Sequence, residues 1–190
     1  MLIVSQNLSN YEFDIPNDVV YRINLAWVNS IQELKEILQK HSRHKIFLDL
    51  PKNRTKPPNN RYSISDLVTI LRSNVNIQYF AVSNVNDEND LNEFLESVPK
   101  TITIVPKIES PDGISNIKRI INKLPYMEKI IMLDHDDLFS ALKKNGEPDQ
   151  NFLEYIKKLL AFCDENHVVL LRTLGVVFSD KEKRTTQYLK

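Results

Sequence analysis

Lys107 and Glu109 stand two residues apart at the end of the apolar run TITIVPKIE. In an extended strand a period of two puts both side chains on one face. A lysine and a carboxylate on an inward face either pair with each other or hold a ligand, because an isolated buried charge is costly. Asp134, Asp136 and Asp137 follow the next apolar run, EKIIML. Carboxylates brought beside Glu109 suit a hard divalent cation such as Mg²⁺, which takes one or two protein carboxylates and leaves room for substrate oxygens. The same stretch also suits an N-cap, with Asp136 or Asp137 opening the helical LFSALKK. Arg22 and Asn24 share one face of YRINLAW, and a mid-strand arginine calls for an anion. Asp49, near the end of KIFLDL, is its expected salt-bridge partner. Thr173 closes VVLLRT. Cys163 lies with Ile156, Leu159 and Leu160 on the apolar face of a helical segment and reads as core. His41 and His44, in the basic stretch QKHSRHK, read as solvated, and His135 is the histidine of the acidic stretch.

Composition removes several classes of function. The chain has 190 residues, with 25 Lys and Arg against 25 Asp and Glu, so its formal charge is zero. That balance gives no electrostatic case for nucleic acid or for an anionic membrane surface. One cysteine excludes a disulfide framework and a multi-cysteine zinc site. Three glycines, at 113, 146 and 175, cannot build a glycine-rich phosphate loop. No apolar run approaches the roughly 18 residues of a membrane span. The start MLIVSQNLSN lacks the basic and long apolar regions of a signal peptide. The expectation is a soluble, cytoplasmic protein with one domain over residues 1–178 and a polar tail over 179–190.

The candidate residues need strands to carry them. Short apolar runs at 2–5, 19–27, 45–50, 77–83, 101–109, 128–133 and 168–172 read as strands. Between them, 30–40, 65–73, 87–98, 113–123, 137–144 and 149–166 carry apolar residues at helical spacing. Residues 51–63 hold Pro51, Pro57 and Pro58 without periodicity and read as a loop. Strands separated by helices imply parallel pairing through crossovers. A doubly wound sheet and a (βα) barrel both fit this pattern, and the length lies just under the ~200 residues of a complete barrel.

Several of these segments together resemble pyruvate kinase. Residues 107–116, KIESPDGISN, resemble that family's K-I-E-N-x-E-G-x-x-N. MLDHDDL at 132–138 resembles M-V-A-R-G-D-L. AVSNV at 81–85 resembles A-V-S-F-V, and Arg22 with Asn24 resembles the R-x-N of R-L-N-F-S-H-G. Asp49 with Arg54 and Thr55 is similar to D-x-K-G-P-E-I-R-T, and the stretch from Cys163 to Thr173 is similar to C-x-x-x-G-K-P-V-I-x-A-T. The matches run in order over residues 19–173. The resemblance extends to the wider group of phosphoenolpyruvate and pyruvate barrels that includes the citrate-lyase-like aldolases.

The resemblance implies a truncated TIM barrel of about seven parallel strands with crossover helices, and it implies roles. Glu109 and Asp137 match the carboxylates that hold Mg²⁺ or Mn²⁺. Lys107 matches the lysine at the transferring phosphoryl group, Thr173 the threonine near the enolate carbon, and Arg22 an arginine at the phosphoryl site. His135, Asp136 and Ser83 fall at the substrate-binding end. Asn24 and Asp49 match ligands of a monovalent cation, but Ala26 and Trp27 replace the Ser and His of that motif, which argues against potassium. The loop after the third strand is about a dozen residues and only a short tail follows Thr173, so neither a lid domain nor an eighth strand nor a C-terminal domain is expected. His135 and Asp136 replace the family's Arg-Gly, and Asp136 repels an anionic substrate. Full pyruvate kinase activity is therefore not expected. The leading expectation is a barrel that binds a divalent metal and a small anionic 2-oxo acid or enol-phosphate, with enolate or phosphoryl-transfer chemistry. A metal-dependent aldolase or lyase and an inactive binding or assembly module are the alternatives. The unpaired edges of an incomplete barrel point to a homodimer.

Overall fold

The computed structural model of the chain describes residues 1, 3–6, 15–52 and 57–172. Thr173, the tail and part of the proline-containing loop lie outside the described residues. The strands are β1 (Ile3–Ser5), β2 (Val20–Asn24), β3 (Lys45–Leu50), β4 (Ile77–Val82), β5 (Thr103–Ile108), β6 (Ile130–Leu133) and β7 (Val169–Arg172). The helices are α1 (Ile31–Lys40), α2 (Ile64–Ser73), α3 (Asn92–Ser97), α4 (Pro111–Ser115), α5 (Ile117–Lys123), α6 (His135–Lys144) and α7 (Gln150–Glu165). Among the described residues no helix is long and apolar enough to cross a membrane.

All seven strands pair in parallel, in the order in which they occur in the chain. That order decides between the two architectures left open by the sequence. A doubly wound sheet reverses its strand order at a switch point; this one never reverses. Every crossover then falls on the same face, and the sheet curls into a half-barrel with its helices outside. The two faces carry different cores. Tyr21, Ile23, Leu48, Phe80, Ile104 and Ile131 point outward and pack with helix residues such as Leu34, Leu67, Ile120 and Leu159. Val20, Phe47, Ala81, Val105, Ile130 and Met132 point inward and form a second, smaller cluster.

The inward rows are apolar at the bottom and charged at the top. Along β3 the inward series is Phe47 then Asp49; along β5 it is Val105, Lys107, Glu109; along β6 it is Ile130, Met132, Asp134. The pairing of Asn24 with Asp49, Asp49 with Ala81, and Lys107 with Met132 sets these series side by side. Polar groups therefore gather at the C-terminal ends of the strands, where loops can solvate or use them.

Local chemistry moves several expected boundaries. Residues 19–27 do not form one strand, because the Asn24 side chain accepts from the Ala26 N–H and turns Leu25–Trp27 into a 3-10 turn. Residues 87–98 are split, since Asp87 and Asp90 form a capping box on the 3-10 turn Glu88–Leu91 that precedes α3. The helix expected from Gly113 starts earlier, at Pro111, capped by Ser110, and breaks at Asn116, whose amide donates to the Asn86 carbonyl at 2.9 Å. His41 and His44 are buried, not solvated: the His41 ring stacks on Tyr21 with centroids 3.7 Å apart. An aromatic partner at the end of α1 hides rings that their basic neighbours in the sequence had suggested were wet.

Candidate functional site

β2, β3 and β5 bring four charges together inside the mouth. Arg22 Nε donates to Asp49 Oδ2 at 3.0 Å, and Arg22 Nη2 bonds the same oxygen. Lys107 Nζ lies 2.7 Å from Glu109 Oε1 and 3.6 Å from Asp49 Oδ2, and it donates to Ser83 Oγ at 3.0 Å. Asp49, Glu109 and Lys107 are 1%, 2% and 5% exposed, so water does little to screen them. Burial works against each charge. For Arg22 the Asp49 carboxylate outweighs it, and for Lys107 Asp49 and Glu109 do, so both cations are held above their ordinary values. Burial pushes the Asp49 carboxyl up, but Lys107 and Arg22 pull it below the usual carboxylate range. For Glu109 burial prevails over Lys107 and raises its carboxyl.

A third strand end orients Glu109. Asn84 follows β4 in the left-handed region, with φ of 55°, a conformation that asparagine tolerates better than most residues. In that conformation its N–H donates to Glu109 Oε2 at 2.7 Å, and its amide donates to the Lys52 carbonyl at 2.7 Å. From the next strand, Asp134 caps α6: its Oδ1 accepts from the N–H groups of Asp136 and Asp137 at 3.2 and 3.3 Å. The cap is thus Asp134, two residues before Asp136 and three before Asp137, the residues expected for it. Capping holds Asp134 and Asp137 toward Glu109, and each of the three offers a carboxylate oxygen within 4.8 Å of the others. All three are hard oxygen donors, the set that suits Mg²⁺ or Mn²⁺.

Several of these groups border a cavity of about 430 Å³ lined by the ends of β2 to β5 and one face of α6. Asn24, Asp49, Ser83, Lys107, Glu109 and Asp137 are all on its wall. Arg22, Asp134, Asp136 and His135 are not. Asp136 is exposed, and the His135 Nε2 accepts from Arg172 at 3.0 Å while its ring meets Phe152 edge-on. Asn24 Oδ1 is engaged by Ala26 N–H and Asp49 Oδ2 by Arg22 and Lys107, which leaves Asp49 Oδ1 as the buried oxygen of these two side chains without a hydrogen-bond partner. Thr173 falls outside the described residues. Asn84 was not among the expected site residues; the Asn-rich stretch that follows β4 was the available signal for it. Asp134 was expected only as one of a carboxylate cluster, and its position two residues beyond Met132 on the inward row is what brings it to Glu109.

No family model matches the chain, and no curated protein matches it. Among solved structures it is similar to RipC from Yersinia pestis, with a TM-score of 0.60 and 13% sequence identity over 98% of this chain and 80% of that one. At that identity the likeness is one of fold. The resemblance to pyruvate kinase, and to the wider group of barrels read with it, is corrected by these findings. Short matches at strand ends carried it, and charged strand ends are what any parallel barrel mouth places there.

Proposed function

We propose that the chain binds Mg²⁺ or Mn²⁺ on Glu109, Asp134 and Asp137 and a small 2-oxo acid beside it, and that it performs enolate chemistry of the metal-dependent lyase or aldolase kind. The convergence of three carboxylates on one point at the barrel mouth carries this reading. Arg22 and Lys107 balance Asp49 and Glu109, so Asp134 and Asp137 add two negative charges, which a divalent ion offsets. Such an ion supplies a Lewis acid that stabilises charge developing on a substrate oxygen. Lys107 is held protonated by Asp49 and Glu109, which disfavours a Schiff-base route, since that needs the neutral amine. Its ammonium instead favours an anionic ligand at the cavity wall, with Ser83 fixing its direction.

Titration calorimetry with Mn²⁺, alone and with oxalate or pyruvate, tests the reading. The expected outcome is one metal site, lost in Glu109→Gln and in Asp137→Asn, with oxalate binding only in the presence of metal. A specific observation favours a second reading, that of a binding or assembly module without turnover. Lys107 pairs with Glu109, and Arg22 and Lys107 both engage Asp49, so the charges at the mouth are largely neutralised within the protein. Wild-type protein that takes up no metal at millimolar concentration selects that module and sinks the enzyme.

A further inference from the structure

We propose that α6 reads the end of the substrate remote from the metal, and that Lys144 binds a second anionic group there, so that the ligand is a 2-oxo dicarboxylate and not a monocarboxylate. This rests on the metal and 2-oxo acid reading above. Asp137, Ser140, Ala141 and Lys144 all line the cavity. Their spacing of three, four and seven residues puts them on one helix face, running from the carboxylate triad outward. Among the described residues three lysines line this cavity. Lys107 is paired with Glu109, and Lys52 is paired with Asp90 at 2.6 Å. Lys144 has no hydrogen bond or salt bridge among the described residues, and Asp112 lines the same cavity without bridging to it. The usual structural work of a lysine in the last turn of a helix is done by its neighbour: Lys143 pairs with Asp149 and lies 5.5 Å over the Phe139 ring.

The spacing sets the ligand length. Seven residues advance a helix by about 10 Å; both side chains lean toward the helix N-terminus, but the longer, exposed Lys144 side chain reaches further back and can bring its ammonium to roughly 5–8 Å from the Asp137 carboxylate. That separation suits two carboxylates divided by about three carbons. Between them Ser140 donates its proton to the Asp136 carbonyl at 2.7 Å, which leaves its oxygen as an acceptor on the cavity wall. Ala141 keeps the passage open.

Calorimetry on the full chain loaded with Mn²⁺, using pyruvate and 2-oxoglutarate as probes, tests the proposal. Wild type is expected to bind 2-oxoglutarate about tenfold or more tightly than pyruvate, the scale of one charge-assisted contact. Lys144→Met should abolish that preference without changing pyruvate affinity, Lys144→Arg should keep most of it, and Lys143→Met should leave it intact. Equal wild-type affinities, or a preference that survives Lys144→Met, overturn the proposal while leaving the metal reading standing. Failure of Mn²⁺ itself to bind overturns both, and the metal titration shows which has failed.

Discussion

A buried aspartate depends on the cations that pair with it. Arg22 and Lys107 share Asp49, so removing Arg22 leaves a carboxylate that is 1% exposed with one cation in place of two. Arg22→Met is expected to cost about 3–5 kcal/mol in urea unfolding, the scale of a broken buried pair, and Arg22→Met combined with Asp49→Leu to recover part of it. A double variant no more stable than the single one would show that Asp49 does not depend on Arg22. Glu109 makes a second residue-scale prediction. Burial raises its carboxyl, so in the metal-free protein it takes up a proton at higher pH than an ordinary carboxylate, and a protonated Glu109 cannot ligate. Mn²⁺ affinity should therefore decline as pH is lowered, beginning above the range in which an ordinary carboxylate takes up a proton. A decline that begins only in that ordinary range counts against Glu109 as a ligand.

At the scale of elements, the turn after α1 carries a pH dependence. Burial, then His44 and Lys40, lower the His41 pKa from 6.5 to about 4. Between those values the unfolded chain binds a proton that the folded chain refuses, so stability is full above pH 6.5 and is lost as pH falls toward 4. The loss should reach about 2 kcal/mol at pH 5, and His41→Phe, which keeps the stack on Tyr21, should flatten it. Unfolding midpoints at pH 7 and 5 check this, and equal slopes for wild type and variant refute it. The join of β5 to α4 makes a different demand. A Cβ on Gly113 would lie 2.7 Å from the Val85 carbonyl oxygen and 3.3 Å from Ile108 Cγ2. Backbone cannot rotate away as a side chain can, so Gly113→Ala should cost about 1–3 kcal/mol by forcing α4 off the sheet. It should also disturb the Ser110–Asn86 hydrogen bond at the cavity rim, which thermal melting alongside Mn²⁺ titration would register.

On the scale of the whole molecule, the half-barrel leaves β1 and β7 as sheet edges that do not pair with each other among the described residues. Unpaired edges are covered in stable proteins, and a two-fold partner is a common cover. Sedimentation equilibrium should then show a dimer, whose dissociation on dilution follows mass action. A monomer throughout the micromolar range would mean that the chain covers its own edges.

The sequence by itself determined the alternation of strand and helix, because periods of two and 3.6 are local properties, and with it the apolar and charged halves of each inward row. Lys107 with Glu109 and Arg22 with Asn24 share their faces for that reason alone. Only the tertiary structure decided what depends on separate segments meeting. Strand order chose the curled sheet over the doubly wound one. Asn84 turned its N–H onto Glu109 from another strand, and Asp134 became both a cap and a third carboxylate. His41 and His44 went dry because Tyr21, twenty residues earlier in the chain, stacks on one of them. The family also escaped the sequence: a few charged residues at strand ends are imposed by the physics of a parallel barrel mouth, so their presence marks the architecture and not the lineage.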